Sequence, residues 1–430
     1  MARRIVGIHQ KLPFFESLPL SFQHLTAMFG GTVLAPVLLG VDPGIALLMN
    51  GIGTLLYAWV TKGGIPAYLG SSFAFIAPAT LVIGVYGGYN HAQSGFIFFG
   101  VFFILMSFVV KHWGIKWIDI VMPPAVMGAV VAIIGLELAP VAAQQAGLAP
   151  HPAAVGKMVE PFVMDGNVLI VSMSTLCVGI FGSVMFRGFM QVIPILVAVF
   201  TGYLVAHAMG MVDTTAISKA AWFALPRFHS PVFDITAILI IAPACIVTLT
   251  EHISHLIVTG RITETDLMKK PGLHRSLLGD GISNVLSGFA GSTPNTTYGE
   301  NIGVMAITRV YSVWVIRGAA ILAILFSCIG KVSAAISTIP VPVMGGITLL
   351  LFGVIAMQGL RMYVAQKVDF SKNRNMVLGA ITFVAGISGA GITIGSVQLK
   401  GMALAAITGI ILSLIFWIFD KLGIMNPETE

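Results

Sequence analysis

Gly291-Ser-Thr-Pro-Asn-Thr-Thr-Tyr-Gly-Glu-Asn-Ile-Gly-Val-Met-Ala-Ile-Thr308 interrupts a chain that is strongly apolar on both sides of it. Pro294, Asn295, Asn301, Glu300 and a run of hydroxyl side chains stand inside it. Such a stretch cannot face lipid as a regular helix, because backbone released from a helix at membrane depth must lie against protein or a wet cavity. The pattern predicts an extended segment, Gly291 to Thr297, turning into a short helix that begins near Tyr298 or Gly299. The first N–H groups of a half-helix have no acceptor within it and carry partial positive charge, so they can donate to a ligand oxygen. Glu300, in the first turn, can accept from a ligand N–H. Donor and acceptor side by side suit a planar, amide-like solute. The plainer alternative is a kinked helix whose polar groups satisfy one another. Against it, a carboxylate at this depth costs roughly 2.5–3.5 kcal/mol to insert, and ionisable groups inside membranes mark function.

The composition agrees with a membrane setting. Of 430 residues, 57% are hydrophobic and 9% charged, and the mean hydropathy is +0.95; soluble proteins are about 25% charged. The chain reads as an all-α polytopic membrane protein embedded in the lipid bilayer. Apolar runs near 18–39, 44–61, 66–83, 94–110, 120–140, 166–185, 190–210, 235–258, 278–291, 297–308, 312–332, 340–360, 375–393 and 399–420 predict about fourteen transmembrane segments. The runs at 66–83 and 297–308 are poor as full spans. The net charge of +6 sits on short loops, which is a topology signal rather than a nucleic-acid footprint. With an even span count, both termini share a side. That side holds Arg3, Arg4, Lys62, Lys269, Lys270, Arg275 and most other basic residues, against Lys157, Lys219, Arg227, Lys331 and Lys400 opposite. The bias predicts cytoplasmic termini. Three cysteines within apolar runs suggest no disulfide framework, and the N-terminus lacks a cleavable signal pattern.

Internal similarity points to two halves. Pro123-Pro-Ala-Val-Met-Gly128 recurs as Pro340-Val-Pro-Val-Met-Gly345, Gly70-Ser-Ser72 as Gly291-Ser-Thr293, and Gln23-His-Leu25 weakly as Glu251-His-Ile253. An odd number of spans per half inverts the second copy. Inverted 7-span repeats with interrupted helices in matching places predict a secondary transporter with a midplane site.

Three places supply polar chemistry within spans. Glu251 and His255, four residues apart, share one helix face. Glu300 lies in the broken stretch. A second half-helix is predicted after Ser71-Ser72, its free N–H groups near Phe73. Together these predict a site with backbone donors from two half-helices, acceptors from Glu251 and Glu300, and aromatic surface from Phe73 and Tyr298. A packing role for the Glu251–His255 pair and core filling by Phe73 are the plainer readings, and Asn301 reads as a helix-bracing amide. Glu251-His252-x-x-His255 has neither the order nor the spacing of a zinc-protease helix. No phosphate loop, Gly-x-Ser-x-Gly or Cys-x-x-Cys occurs, so an intramembrane metalloenzyme is a remote alternative, and no metal or cofactor is expected.

At these residues the chain resembles the nucleobase/ascorbate transporter family nearly end to end, with its bacterial uracil:proton symporters as the nearer branch. The resemblance rests on Tyr68-Leu-Gly-Ser-Ser-Phe-Ala-Phe75, on Glu251, His252 and His255, and on Glu300-Asn-Ile-Gly303 followed by Thr308-Arg309. It implies fourteen spans in two inverted repeats, with short β strands in spans 3 and 10. A core domain would comprise 1–115 and 235–335, and a gate domain 116–234 and 336–430. It further implies that Glu251 and Glu300 bind uracil, and that the backbone N–H groups of Phe73 and Gly299 meet its carbonyls. His255 would reach the ligand through water and serve proton coupling with Glu251. A homodimer joined through the gate domain, in the cell inner membrane, is also implied. Phe352 departs from close relatives, which carry Tyr there in a water-mediated ligand contact; the missing hydroxyl puts that contact in doubt. Xanthine, uric acid or another nucleobase remains open as the solute.

Overall fold

The computed structural model describes residues 5–150, 163–394 and 397–426; Arg3, Arg4 and Lys157, used above for topology, lie outside them. Most of the described chain is helical. In order come α1 (Phe14–Ala27), α2 (Phe29–Leu38), α3 (Pro43–Val60), β1 (Leu69–Ser71), a 3-10 turn (Phe73–Phe75) running into α4 (Ile76–Tyr86), α5 (Tyr89–Trp113), α6 (Lys116–Val121), α7 (Pro124–Gln145), α8 (Gly166–Met185), α9 (Pro194–Ala208) and α10 (Thr215–Lys219). Then follow α11 (Ile235–Ile262), α12 (Leu273–Ala290), β2 (Asn295–Thr297), α13 (Gly299–Thr308), α14 (Val313–Ser327), α15 (Gly330–Ser337), α16 (Val341–Ala365), α17 (Asn373–Ile387), β3 (Gly391–Ile394), β4 (Val397–Lys400) and α18 (Gly401–Lys421). Among the described residues seven helices, α3, α5, α7, α8, α11, α16 and α18, are each long and apolar enough to cross a membrane. Shorter apolar helices cover Phe73–Val85, Pro194–Ala208 and Val313–Ser327.

Local chemistry explains where the long helices begin. Asp42 accepts from Gly44 N at 2.9 Å, with Pro43 at the first position of α3. Asp234 accepts from Thr236 N and Ala237 N at 2.8 and 3.2 Å, opening α11. Each cap is worth about 1 kcal/mol. Two groups of helices follow from the packing. In one, α3, α5, α12 and α14 lie against each other, with α1 on α14 and α11 on α5. In the other, α16 packs on α7 and α8, α8 on α9, and α17 and α18 on each other and on α7.

The repeated motifs fare differently. Pro123 and Pro340 are the N-cap residues of α7 and α16, so that pair marks matching places on two helices in contact. The Gly70-Ser-Ser72 and Gly291-Ser-Thr293 match does not. Gly70 lies inside β1, whereas Gly291 ends α12 in the left-handed region at φ 83°. The residues that precede the two short helices in like fashion are Ser71 and Thr297. A further difference lies at 391–394 and 397–400, where β3 and β4 pair antiparallel between α17 and α18. Helix α17 stops at Ile387 because Gly389 turns the chain at φ 74°.

Candidate solute-binding site

Two broken segments meet through a short antiparallel ladder. Leu69 pairs with Thr297, Gly70 with Thr296 and Ser71 with Asn295, extended by Ser72 N to Pro294 O (2.8 Å) and Tyr298 N to Tyr68 O (3.0 Å). The ladder satisfies the backbone that Pro294 and the glycines release from helix. The antiparallel register puts the end of β1, which leads into the turn at Phe73, and the end of β2, which leads into α13, at opposite ends of the ladder. Neither the turn at Phe73 nor α13 has a side-chain cap, so the leading N–H groups stay available. Asn295 holds the ladder to its surroundings. Its backbone N–H donates to Asn284 Oδ1 at 2.6 Å, Ser287 Oγ donates to its Oδ1 at 2.9 Å, and its Nδ2 donates to Ser283 Oγ at 3.0 Å. Asn301 Nδ2 donates to the His24 carbonyl at 3.2 Å and lies 3.0 Å from His24 Nδ1, bracing α13 against α1.

Helix α11 carries two polar faces. One turns Glu251 and His255 toward the ladder, and His255 Nδ1 lies 3.2 Å from Thr297 Oγ1. On the other face His252, fully buried, sets Nδ1 2.9 Å from Asp280 Oδ2 and Nε2 2.7 Å from Ser276 Oγ. Ser276 is also 2.6 Å from Tyr57 OH, and Asn284 Nδ2 donates to Asp280 Oδ1 at 3.0 Å. His252 and His255 therefore do not converge on one point. Asp280, whose carboxylate is completely buried, was not singled out by sequence reasoning. The signal was present as a lone acid within an apolar run, 28 residues from the histidine that pairs with it.

The residues nominated from sequence line one cavity of about 20 Å³: Phe73, Glu251, His255, Tyr298, Gly299 and Glu300. Ile134 of α7 and Ile355 and Gln358 of α16 close it from the second helix group. Among the described residues, neither Glu251 nor Glu300 has a hydrogen-bond or ion-pair partner from another side chain. Thr296 Oγ1, buried in the same wall, is also unpartnered. A second cavity of about 150 Å³ adjoins at Glu251, His255, Gly299 and Gln358 and runs to Ile262, Arg361 and Ala365, at the C-terminal ends of α11 and α16.

One side chain takes a different place from that expected. The Tyr298 ring is not free to stack. A Cβ on Gly31 or Gly70 would collide with that ring, and the Tyr298 hydroxyl donates to Ser71 O at 2.7 Å. The ring is packed in a core with Tyr68, Met28 and Leu25, so it locks the ladder to α2, while Tyr298 still counts among the residues lining the cavity. Phe73 keeps its place in the wall, meeting Phe352 edge-to-face at 6.1 Å and 82°. Gln358 was missed. It stands against Gly299, where a Cβ would lie 3.3 Å from Gln358 Oε1 and 3.3 Å from His255 Nε2. A single amide within apolar α16 gives no sequence signal of that contact.

Interrupted helices that meet at a polar cavity between two helix groups are the architecture of a secondary transporter. The fold is that of a solved one: the transmembrane domain of a cyanobacterium bicarbonate transporter, BicA, superposes with a TM-score of 0.67 at 15% identity, over 96% of this chain and 100% of that chain. The Permease family profile matches residues 15–395. The chain is 55% identical to the uracil permease of Escherichia coli K12 over 428 residues, covering 100% of this chain and 97% of that one. It is 54% identical to the uracil permease of Paenibacillus larvae, covering 99% and 100%. The chain belongs to the Permease family; it is a multi-pass membrane transporter rather than an enzyme.

Proposed function

We propose that the chain imports uracil together with protons across the cell inner membrane by alternating access. Uracil presents two N–H donors and two carbonyl acceptors in one plane. Glu251 and Glu300 accept from the N–H groups, and the backbone N–H groups of Phe73 and Gly299 donate to the carbonyls. Phe73 packs on the ring face, and His255 reaches the ligand through water. Any of these groups left unpaired in a dry site costs about 1–3 kcal/mol, which gives the site its selectivity. The observation that carries this reading is the pair of carboxylates, without side-chain partners among the described residues, in one cavity beside two half-helix N-termini that lack side-chain caps. The names of the relatives at 55% and 54% identity support uracil as the solute.

In this reading the chain makes fourteen spans in two inverted repeats, with both termini cytoplasmic. The core domain comprises 1–115 and 235–335, the gate domain 116–234 and 336–430, and the gate joins two copies in a homodimer. The larger cavity, running toward the C-terminal ends of α11 and α16, is the inward path. Glu251 takes up the proton, with His255 beside it, because a neutral carboxyl moves past the gate at lower cost than a charged one. Each proton entering across about 100 mV supplies roughly 2.3 kcal/mol. Uptake of labelled uracil into proteoliposomes tests this. A pH gradient, acid outside, drives accumulation above equilibrium, and equal uptake with and without the gradient rejects proton coupling. Competition by xanthine and uric acid decides the solute, since a purine that displaces uracil fully moves the assignment to another nucleobase.

A further inference from the structure

At the end of the molecule where α3 and α11 finish and α12 begins lies a cavity of about 710 Å³ that the transport reading does not use. Its walls are the N-terminal segment around Ile8 and His9, the end of α3 at Thr61 and Lys62, the α11–α12 connection, and Arg275. The N-terminal segment is held there by pairing with the stretch after α13, through Val6 N to Arg309 O (3.0 Å) and Tyr311 N to Val6 O (2.9 Å). Lys62, Lys270 and Arg275 all line the cavity, and Glu264 is the acid among its lining residues. None of the three cations has a carboxylate within ion-pair distance among the described residues; the neighbouring Lys269 takes Asp266 at 3.2 Å. The charges of Arg275 and Lys111 both act on His274.

Helix dipoles do not account for this excess. Lys62 follows the C-terminus of α3, where a cation is favoured. Lys270 and Arg275 flank the start of α12 at Leu273, where a cation is disfavoured and an anion is favoured. A cavity of similar size, about 690 Å³, lies at the opposite end of the molecule. It holds Asp42 and Arg227, with the carboxylate of Asp42 engaged by Ser333, Gly44 N and Arg227 N. Charge there is balanced. Trp59, 74% exposed and one turn before Lys62, puts the cationic cavity at the level of an interfacial aromatic belt.

We propose that this cavity binds a phosphate-type oxyanion among Lys62, Lys270 and Arg275. The oxyanion would tie the N-terminal segment, α3 and the α11–α12 connection together without touching the solute site. It can come from a lipid headgroup or from a soluble phosphate compound. The test uses the full-length purified protein in neutral detergent and reads its thermal melt. One arm adds pyrophosphate against sodium chloride of equal ionic strength, and the other adds phosphatidylglycerol against phosphatidylcholine. At least one anion should raise the melting temperature by about 3 °C or more, and Lys270→Gln with Arg275→Gln should weaken the half-saturating concentration at least about tenfold. A shift with phosphatidylglycerol alone assigns a headgroup, and one with pyrophosphate alone a soluble anion. No shift from either, or an unchanged response in the double variant, overturns the site. If that variant does not fold, Lys62→Gln is measured in its place under the same criterion.

Discussion

Glu251 and His252 are neighbours in sequence, yet they belong to two different kinds of membrane polarity. Glu251 faces a cavity and, among the described residues, has no partner from another side chain. His252 is sealed into a chain of contacts running from Tyr57 through Ser276 to Asp280 and Asn284. The first arrangement leaves bonding capacity for a solute. The second consumes it and ties α3, α11 and α12 into one body that holds the ladder in place. A polar residue inside a membrane is therefore read by its partners rather than by its type, and substitution on the two faces should fail in different ways.

The largest effect should fall on the sealed face. Asp280→Ala strands a buried His252 and should cost about 3–5 kcal/mol of stability, seen as a large drop in melting temperature. Replacing both residues, His252→Leu with Asp280→Leu, should recover part of that loss, since removing a buried pair is far cheaper than splitting it. A single variant that melts like the wild type would erase the distinction. On the open face, Glu300→Ala should leave the melt nearly unchanged and weaken uracil binding about tenfold to a hundredfold, the equivalent of about 1–3 kcal/mol. Isothermal titration reads this directly, and unchanged affinity counts against the site. Gly299→Ala should come next. Its Cβ would press on His255 and Gln358 at 3.3 Å, and overpacking of that kind costs about 1 kcal/mol or more. Phe352→Tyr should be the mildest. The added hydroxyl beside Phe73 offers one more hydrogen bond, worth about 0.5–1.5 kcal/mol, so affinity should rise by no more than about tenfold with the melt unmoved.

Much of this was legible in the chain itself because lipid imposes a harsh rule. Pro294, Asn295 and Glu300 in an apolar setting could not face hydrocarbon, so a broken helix followed from composition alone. Glu251 and His255 were legible through helical spacing. Asn301 was legible as a brace, although its acceptor on His24 was not. What stayed hidden depends on contacts between distant segments. The Tyr298 ring looks like stacking surface until Gly31 and Gly70 are seen to make room for it elsewhere. Asp280 gains meaning only from His252 across a helix interface. Gln358 matters only because α16 brings it against Gly299. The pairing of β3 with β4 between α17 and α18 was hidden by the apolar residues of these strands, which read as continuing spans.

The most direct test of the proposed coupling is Glu251→Gln in proteoliposomes, comparing two rates on the same preparation. Exchange of labelled against unlabelled uracil should persist, because an amide of the same shape still fills the site, while uptake driven by an imposed pH gradient should vanish. Full pH-driven accumulation by this variant would contradict the assignment of the proton to Glu251.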